Sequence, residues 1–475
     1  MVLKGRPELM FRFDQRRRHQ EAAPMIHEGR LRLRYFAYPV DILLSGVILT
    51  FAIAGFFFIV QFGKSRALAD KRMRTSRVRR IICLNPMTWR EIEEKGVFEH
   101  VILLNPDDYW DHFYLIHPCV SEDQRIVAKE NITIIELKRD RHPTLRAIGF
   151  RALSHLLTEL DFLRFMVTFI REKEIDVIKS QEPYLMGVRS LILRGLTGRP
   201  VVEDLRADYD LIYKSTGKPV YRILRFRRLE KFVERITFRS VDMVFAGSEH
   251  LRKYAVRNGA DPRRTFTVRP VGVARTHFTS PSERRDLREE LGLENKNIVL
   301  YCGRLHPEKH PEDVIKALPY VKQKLPRSIL LVVGDGPQRS ALEKLADDLD
   351  VSDSAVFLGF QKPDRVRDLL YTADVIIATM MGSVLVESAL SSTPIVAYDI
   401  EWHSELIKNE QTGLLVAYRD VIGLASAVVR VLEEPEEATL WGRNAREKAI
   451  SLFKTEAVLS VERKYFDRLL AIHHG

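Results

Sequence analysis

Short apolar runs alternate with longer amphipathic stretches through most of this chain, and that alternation leaves few folds open. "RRIICLN", "HVILLN", "NITIIEL", "DVIKS" and "PVVEDL" read as buried strands, with "DMVFAGS" and "TFTVRPVGV" closing the first series. After "TSPSERRDLREELGL" a second series begins: "NIVLYCG", "SILLVVGDG", "AVFLGF", "DVIIAT" and "TPIVAYD" alternate with helices such as "PEDVIKALPYVKQKL". Strands fed by helices predict parallel sheets covered on both faces. Two such series, parted near residues 273–282, predict two doubly wound α/β domains, at 81–275 and 276–445. The stretch 446–475 reads as helix that packs back across the pair. Ligands of such domains lie where strands end and helices begin.

One segment does not fit that pattern. Residues 42–63, "ILLSGVILTFAIAGFFFIVQFG", carry no charge. A helix needs about 20 apolar residues to cross a bilayer, and the run is apolar on every face, unlike a core-packed helix. A transmembrane helix is therefore expected over 38–63, after a basic tail at 1–37 and before a basic linker at 64–80. Lys64, Arg66, Lys71, Arg72, Arg74, Arg77, Arg79 and Arg80 follow it, opposed only by Asp70. This denser cluster places the large C-terminal part in the cytoplasm.

The chain holds 75 Lys and Arg against 64 Asp and Glu. That excess favours an anionic partner: a nucleotide, a phosphate or an acidic membrane. Nucleic-acid binding would rest on charge alone, because no reader motif accompanies it. Cys83, Cys119 and Cys302 are too far apart for a disulfide framework or a zinc motif, which points to a reducing compartment.

Three segments of the second series carry chemistry. "VLYCGRLHPEKHPEDVIKA" sets Gly303, Arg304 and Lys309 between a strand and a helix. Arg offers a fork to phosphate, and Lys a mobile point charge. "LLVVGDGPQRSALEKLA" is a glycine turn, without the Gly-Lys-Ser/Thr of a Walker loop. "ATMMGSVLVESALSS" makes 380–385 a loop at a helix N-terminus, whose N–H groups suit a diphosphate. Glu387 is expected in the first turn of that helix. There a carboxylate could complement the helix dipole or hold a ribose diol, and the residues alone leave both readings open.

The ordered set Gly-Arg-x-x-x-x-Lys, Gly-Asp-Gly-Pro, "VFLGF", Gly-x-x-Leu-x-Glu, "TPIVA" and "TGLLV" resembles family 4 glycosyltransferases of the GT-B fold, with two Rossmann-like domains. The resemblance runs from about Arg80 to the C-terminus and is densest from Asn297 to Val416. It implies an acceptor domain at 81–275 and a nucleotide-sugar domain at 276–445. By it, Glu387 would hold the ribose of a nucleotide-sugar, and Gly382, Ser383, Val384 and Leu385 would meet the diphosphate. Arg304 and Lys309 would neutralise the leaving phosphate, with Gly303 beside them, and Phe360 and Gln361 would lie near the base. Many members carry a further acid eight residues before the second, on the donor sugar; here that position is Thr379. Glu401-Trp402 replaces a usual Gly-Gly, and a frequent catalytic histidine falls near Arg206.

The reading this supports is a membrane-anchored hexosyltransferase, retaining and metal-independent, with no cofactor beyond its nucleotide-sugar substrate. A lipid-linked or saccharide acceptor is expected at the cytoplasmic membrane face, with Glu182, Arg206 and Asp208 as candidate acceptor-side groups. A non-catalytic nucleotide-sugar-binding or scaffolding subunit is the alternative, motivated by Thr379 and the missing histidine. Asp208-Tyr209-Asp210 matches the metal-binding Asp-x-Asp of another glycosyltransferase fold, but the architecture argues against that use. His112 and His117 in "DDYWDHFYLIHP" sit in a loop whose aromatics could line the acceptor cleft, or simply pack. "PVYRILRFRRLEKFVERITFR" reads as an amphipathic helix, with Ile223, Phe226, Leu229, Val233 and Ile236 on one face and a basic face suited to solvent or anionic lipid.

Overall fold

The two strand series form two sheets, except that "HVILLN", expected as a strand, is the end of the helix Phe98–Ile102 and a turn. The computed structural model describes residues 78–94, 98–220, 226–271, 275–278 and 284–474. The expected membrane helix and the basic segments flanking it, up to residue 77, lie outside those residues. Among the described residues no helix is long and apolar enough to cross a membrane.

The first sheet contains β1 (Arg80–Leu84), β2 (His112–Val120), β3 (Gln124–Lys129), β4 (Ile132–Lys138), β5 (Val177–Ser180), β6 (Val201–Leu205), β7 (Met243–Ala246) and β8 (Thr265–Thr267). Their order is β3-β4-β2-β1-β5-β6-β7-β8. Every pairing is parallel except the β3–β4 hairpin. Leu84, Ile178 and Leu205 fill one face, and Ile81, Val202 and Phe245 the other. The segment read as a loop is instead strand β2, between β1 and β4, and its aromatics pack in the core, the second of the two readings. Phe113, Tyr114, Leu115 and Ile116 are buried there because an interior parallel strand has no solvent face. His117 is buried with Nδ1 3.2 Å from Glu136, and His112 bonds Thr133 at 2.8 Å.

Four helices of this half matter below: α1 (Leu185–Thr197), α2 (Tyr209–Thr216), α3 (Arg227–Ser240) and α4 (Glu249–Arg257). Helix α3 corrects the sequence reading. It turns Arg227, Glu230, Glu234 and Thr237 inward and leaves Phe226 and Phe232 exposed. The inward charges are matched: Arg227 donates to Glu234 at 2.5 Å and to Asp210 at 3.1 Å, and the Tyr184 hydroxyl donates to Glu234. A buried ionic face is tolerated when each charge has a partner. Of the residues expected to face the core, Val233 packs there in part.

The second sheet contains β9 (Asn297–Cys302), β10 (Ser328–Val333), β11 (Ala355–Gly359), β12 (Val375–Ala378), β13 (Ile395–Tyr398) and β14 (Leu414–Val416), in the order β11-β10-β9-β12-β13-β14. All its pairings are parallel. Strand order reverses between β9 and β12, so the chain leaves these neighbours in opposite directions and opens a crevice beyond their C-terminal ends. Helices α5 (Pro311–Lys324) and α6 (Ser383–Leu390) begin on that edge. The last helix, α7 (Thr455–His474), sends Phe466, Leu469 and Leu470 into the core of the first sheet. Its Tyr465 stacks on Phe266 at 3.9 Å, and its Glu462 pairs with Lys179 at 2.7 Å.

Residues Asp140–Thr158 belong to a different compact unit from the two sheets. Within it Arg146 pairs with Asp140 at 3.1 Å, and the Ser154 hydroxyl donates to the His142 carbonyl.

Candidate functional site

Three loops of the second half meet at the β9–β12 switch. The loop after β9 carries Gly303, Arg304 and Lys309. It touches the turn after β10: the Gly303 N–H donates to Val333, and the Leu305 N–H to Asp335. Gly334 is required at that contact. Its φ is +128°, and a Cβ there would sit 2.0 Å from the Gly303 carbonyl oxygen. Arg304 is exposed and pairs with Glu308 at 2.7 Å, so its guanidinium lies in solvent reach beside the crevice. Lys309 is half-buried. Loss of hydration pushes its pKa down, and Glu401 holds it up.

The loop after β12 leads into α6. Gly382 is the N-cap and supplies no side-chain cap, so no side chain of that residue occupies the first-turn N–H groups. Nothing lies within 4 Å of where a Gly382 Cβ would be, leaving the approach to the helix open. Gly382 and Ser383 are exposed, Val384 is half-buried and Leu385 is fully buried. Thus Gly382, Ser383 and Val384 border the crevice, whereas the Leu385 side chain belongs to the core. Glu387 is the fifth residue of α6, in its second turn and not its first. Gly382 gives no side-chain signal of where the helix starts, which is why the sequence places it a turn early. The Glu387 carboxyl bonds Ser383, one turn back, and burial pushes its pKa up to about 7. It also lies near the Cys302 thiol at the end of β9, whose pKa is raised by burial and by Glu387. At this depth Glu387 does not cap the helix.

Thr379 is corrected as well. It is fully buried, and its hydroxyl donates to the Lys309 carbonyl at 2.5 Å. It ties the two loops together and does not face the space where a sugar could lie. His403 braces the same loop from behind. Buried, and with its pKa pushed down to about 4, it is neutral; Nδ1–H donates to Tyr398 at 3.0 Å and Nε2 accepts from the Met381 N–H at 3.1 Å. Phe360 is exposed after β11, and Gln361 beside it donates to the Leu358 carbonyl at 2.6 Å.

The acceptor-side candidates separate. Glu182 is buried and accepts from the backbone N–H groups of Tyr184 and Met186 at the start of α1, a structural post. Arg206 donates to Asp204 at 2.7 Å, and Asp204 also meets Lys179 at 3.1 Å. That ion network reaches Glu462 of α7 and fixes Arg206 to the first sheet. Asp208 caps α2, accepting from Asp210 and Leu211, and its second oxygen lies 2.8 Å from His250 Nε2. Asp210 turns away to Arg227 and Lys231, so the Asp-x-Asp pair does not converge. Helix α2 packs against the turn Pro307–Lys309, which brings Asp208 and His250 to the Lys309 side of the crevice.

Comparison with known proteins adds to this geometry. Residues 94–272 match the family described as Glycosyl transferase 4-like domain, and residues 283–448 match Glycosyl transferases group 1. The chain belongs to the family 4 glycosyltransferases. It is 32% identical to a D-inositol 3-phosphate glycosyltransferase of Gordonia bronchialis, over 57% of this chain and 61% of that one. It is 28% identical to a GDP-mannose-dependent α-(1-6)-phosphatidylinositol monomannoside mannosyltransferase of Mycobacterium tuberculosis, over 39% of this chain and 51% of the relative. The chain therefore spans between half and two thirds of the length of these curated relatives. The crystal structure of Anabaena HepE with UDP-glucose superposes with a TM-score of 0.61 at 21% identity, covering 82% of this chain and 99% of that one. The glycosyltransferase thus has the two-domain GT-B fold.

Sequence reasoning did not single out His250, His403 or Glu405 in this glycosyltransferase. Glu405 accepts from the His250 N–H at 2.9 Å and from Arg269 at 2.8 Å, joining the two sheet domains beside the crevice. A signal for His250 was present: Ser248 is an N-cap residue after "MVFA", which places His250 in a first turn on the ligand-binding edge.

Proposed function

We propose that this glycosyltransferase moves a hexose from a nucleoside-diphosphate donor to an acceptor in the crevice. The observation that carries the reading is the convergence of Arg304, Lys309 and the N-terminus of α6 at the switch between β9 and β12, with Glu387 beneath them. As the glycosidic bond breaks, the diphosphate gathers negative charge. Two cations and the helix N-terminus stabilise that charge without needing a divalent metal. The Glu387 carboxylate accepts hydrogen bonds from the ribose diol. Phe360 offers an exposed ring to the base, and Gln361 stands beside it. No protein nucleophile is invoked, and transfer proceeds with retention.

The acceptor, in this proposal, is lipid-linked, and the chain works at the cytoplasmic face of a membrane. The uncharged run at 42–63 and the basic cluster after it support this, as does the exposure of Phe226 and Phe232 beside Arg228 and Arg235 on α3. The phosphatidylinositol mannoside substrate in the name of the mycobacterial relative is consistent with it.

A screen of the detergent-solubilised chain against nucleoside-diphosphate sugars and a lipid extract tests the proposal. Release of the diphosphate, with a new glycolipid retaining the donor's anomeric configuration, is the expected result. Binding without transfer to any extract would favour the non-catalytic subunit. Protease protection of the C-terminal part from the cytoplasmic side of sealed vesicles would overturn the topology.

A further inference from the structure

Two opposite charges in the crevice are left unmatched. Lys309 and Glu401 are both half-buried, and neither side chain makes a hydrogen bond or an ion pair among the described residues. They are near enough for each to steady the other's charge. Half-buried opposite charges that do not touch leave their hydrogen-bonding capacity facing a shared space. His403, two residues after Glu401, takes the N–H of Met381 just ahead of α6, and the Asp208–His250 pair lies near Glu401. Glu401 also holds a left-handed backbone, φ 49°, which glycine would adopt with less strain. Its place two residues before His403, which is pinned to Met381 and Tyr398, fixes the loop that presents it.

The chemistry of an occupant follows from charge. A carboxylate repels a diphosphate, which belongs with Arg304, Lys309 and the helix N-terminus. A carboxylate has two oxygens that accept paired hydrogen bonds from vicinal hydroxyls, and a sugar carries those. The position where an acid eight residues before Glu387 would stand is occupied by buried Thr379, committed to the Lys309 carbonyl. We propose that Glu401 binds the hydroxyls of the donor's sugar and sets which sugar the enzyme accepts. The proposal rests on the nucleotide-sugar reading above. Glu401 thereby supplies, from the loop after β13, an acid that the loop after β12 lacks.

Full-length wild type, Glu401→Gln and Glu401→Gly are compared in detergent. Bare nucleoside diphosphates are titrated first, then the corresponding glucose, galactose and mannose donors. Glycine suits the backbone at 401, so that variant should melt no lower than wild type and keeps the test free of misfolding. The expected result is bare-nucleotide affinity within twofold of wild type in both variants. The preferred sugar's advantage over the bare nucleotide should fall at least tenfold, and the ranking of the three sugars should flatten. A parallel loss of bare-nucleotide and donor affinity would show that Glu401 acts only through Lys309, and would overturn the proposal. Unchanged sugar ranking would overturn it too. If wild type binds no nucleoside diphosphate at all, the nucleotide-sugar reading fails first and takes this proposal with it.

Discussion

The Thr379 hydroxyl donates to the main-chain carbonyl of Lys309 at 2.5 Å, joining the loop after β12 to the loop after β9. Both loops border the crevice, and this buried bond sets their spacing. Thr379→Val keeps the shape and leaves the carbonyl unpaired. An unsatisfied buried polar group costs about 1–3 kcal/mol, so the Val variant should unfold at lower urea, while Thr379→Ser keeps most of the bond. Thr379→Glu would bury an acid beside that carbonyl and should be less stable than either, instead of gaining a sugar contact. Equal urea midpoints for wild type and Val would show that the bond contributes nothing.

Glu387 predicts a pH dependence. Burial raises its pKa to about 7, above the ordinary carboxylate value. The sign follows: burying the charged form opposes folding, so the penalty is absent below about pH 4.5 and grows until the pH passes about 7. At pH 8 the ligand-free Glu387→Gln variant should be more stable than wild type by on the order of 1–3 kcal/mol, since each pKa unit is worth about 1.4 kcal/mol. Nucleotide binding should show the opposite trend. The advantage of wild type over Glu387→Gln in nucleoside affinity should grow from pH 6 to pH 8, as the carboxylate that accepts from the ribose forms. A pH-independent ratio of the two affinities would remove Glu387 from the ribose.

How much of this could be read in the sequence varied with the kind of interaction. The sheets were legible because parallel strands buried on both faces read as continuous apolar runs, as "LLVV" and "DVIIAT" do. Strand β2 was missed because His112 and His117 interrupt its apolar run, and their partners Thr133 and Glu136 come from β4. Helix α3 misled in the same way. Its inward Arg227 and Glu234 are satisfied by Tyr184, Asp210 and Tyr254, all distant in sequence. Within the candidate site, strand–turn–helix spacing put Arg304, Lys309 and Gly382 between a strand and a helix, and the structure has them there. Thr379 looked like a ligand contact because spacing does not reveal that a carbonyl from another loop waits beside it.

Arg304 and Lys309 should act on the transition state more than on binding. Arg304 is exposed and, among the described residues, its side chain is tied only to Glu308, so it can swing to a phosphate with little reorganisation. Removing one such electrostatic contact costs on the order of 2–4 kcal/mol, or roughly a hundredfold or more in rate. Arg304→Ala and Lys309→Ala should each lower kcat by that order with a smaller change in KM, and EDTA should leave wild type active. Strict dependence on added magnesium or manganese would contradict the assignment of charge stabilisation to these residues.

Gly382 separates fold from ligand. A Cβ at Gly382 would meet no atom within 4 Å, so the fold leaves room there for a methyl group. Gly382→Ala should therefore fold with an unchanged melting temperature while its methyl group obstructs a diphosphate at the start of α6. Nucleoside-diphosphate affinity should fall tenfold or more, and affinity for the nucleoside alone much less. A variant that binds the diphosphate as wild type does would place the phosphates elsewhere.

The central claim is that the β9–β12 crevice holds a nucleoside diphosphate over Glu387. Calorimetric titration of bare nucleoside diphosphates into full-length wild type and Glu387→Ala tests it most directly. A hydrogen bond to a charged group is worth about 1.5–3 kcal/mol, so wild type should bind one diphosphate of the panel and Glu387→Ala, still folded, should bind it at least tenfold more weakly. Equal affinity in the two proteins, or no binding by wild type, would contradict the account.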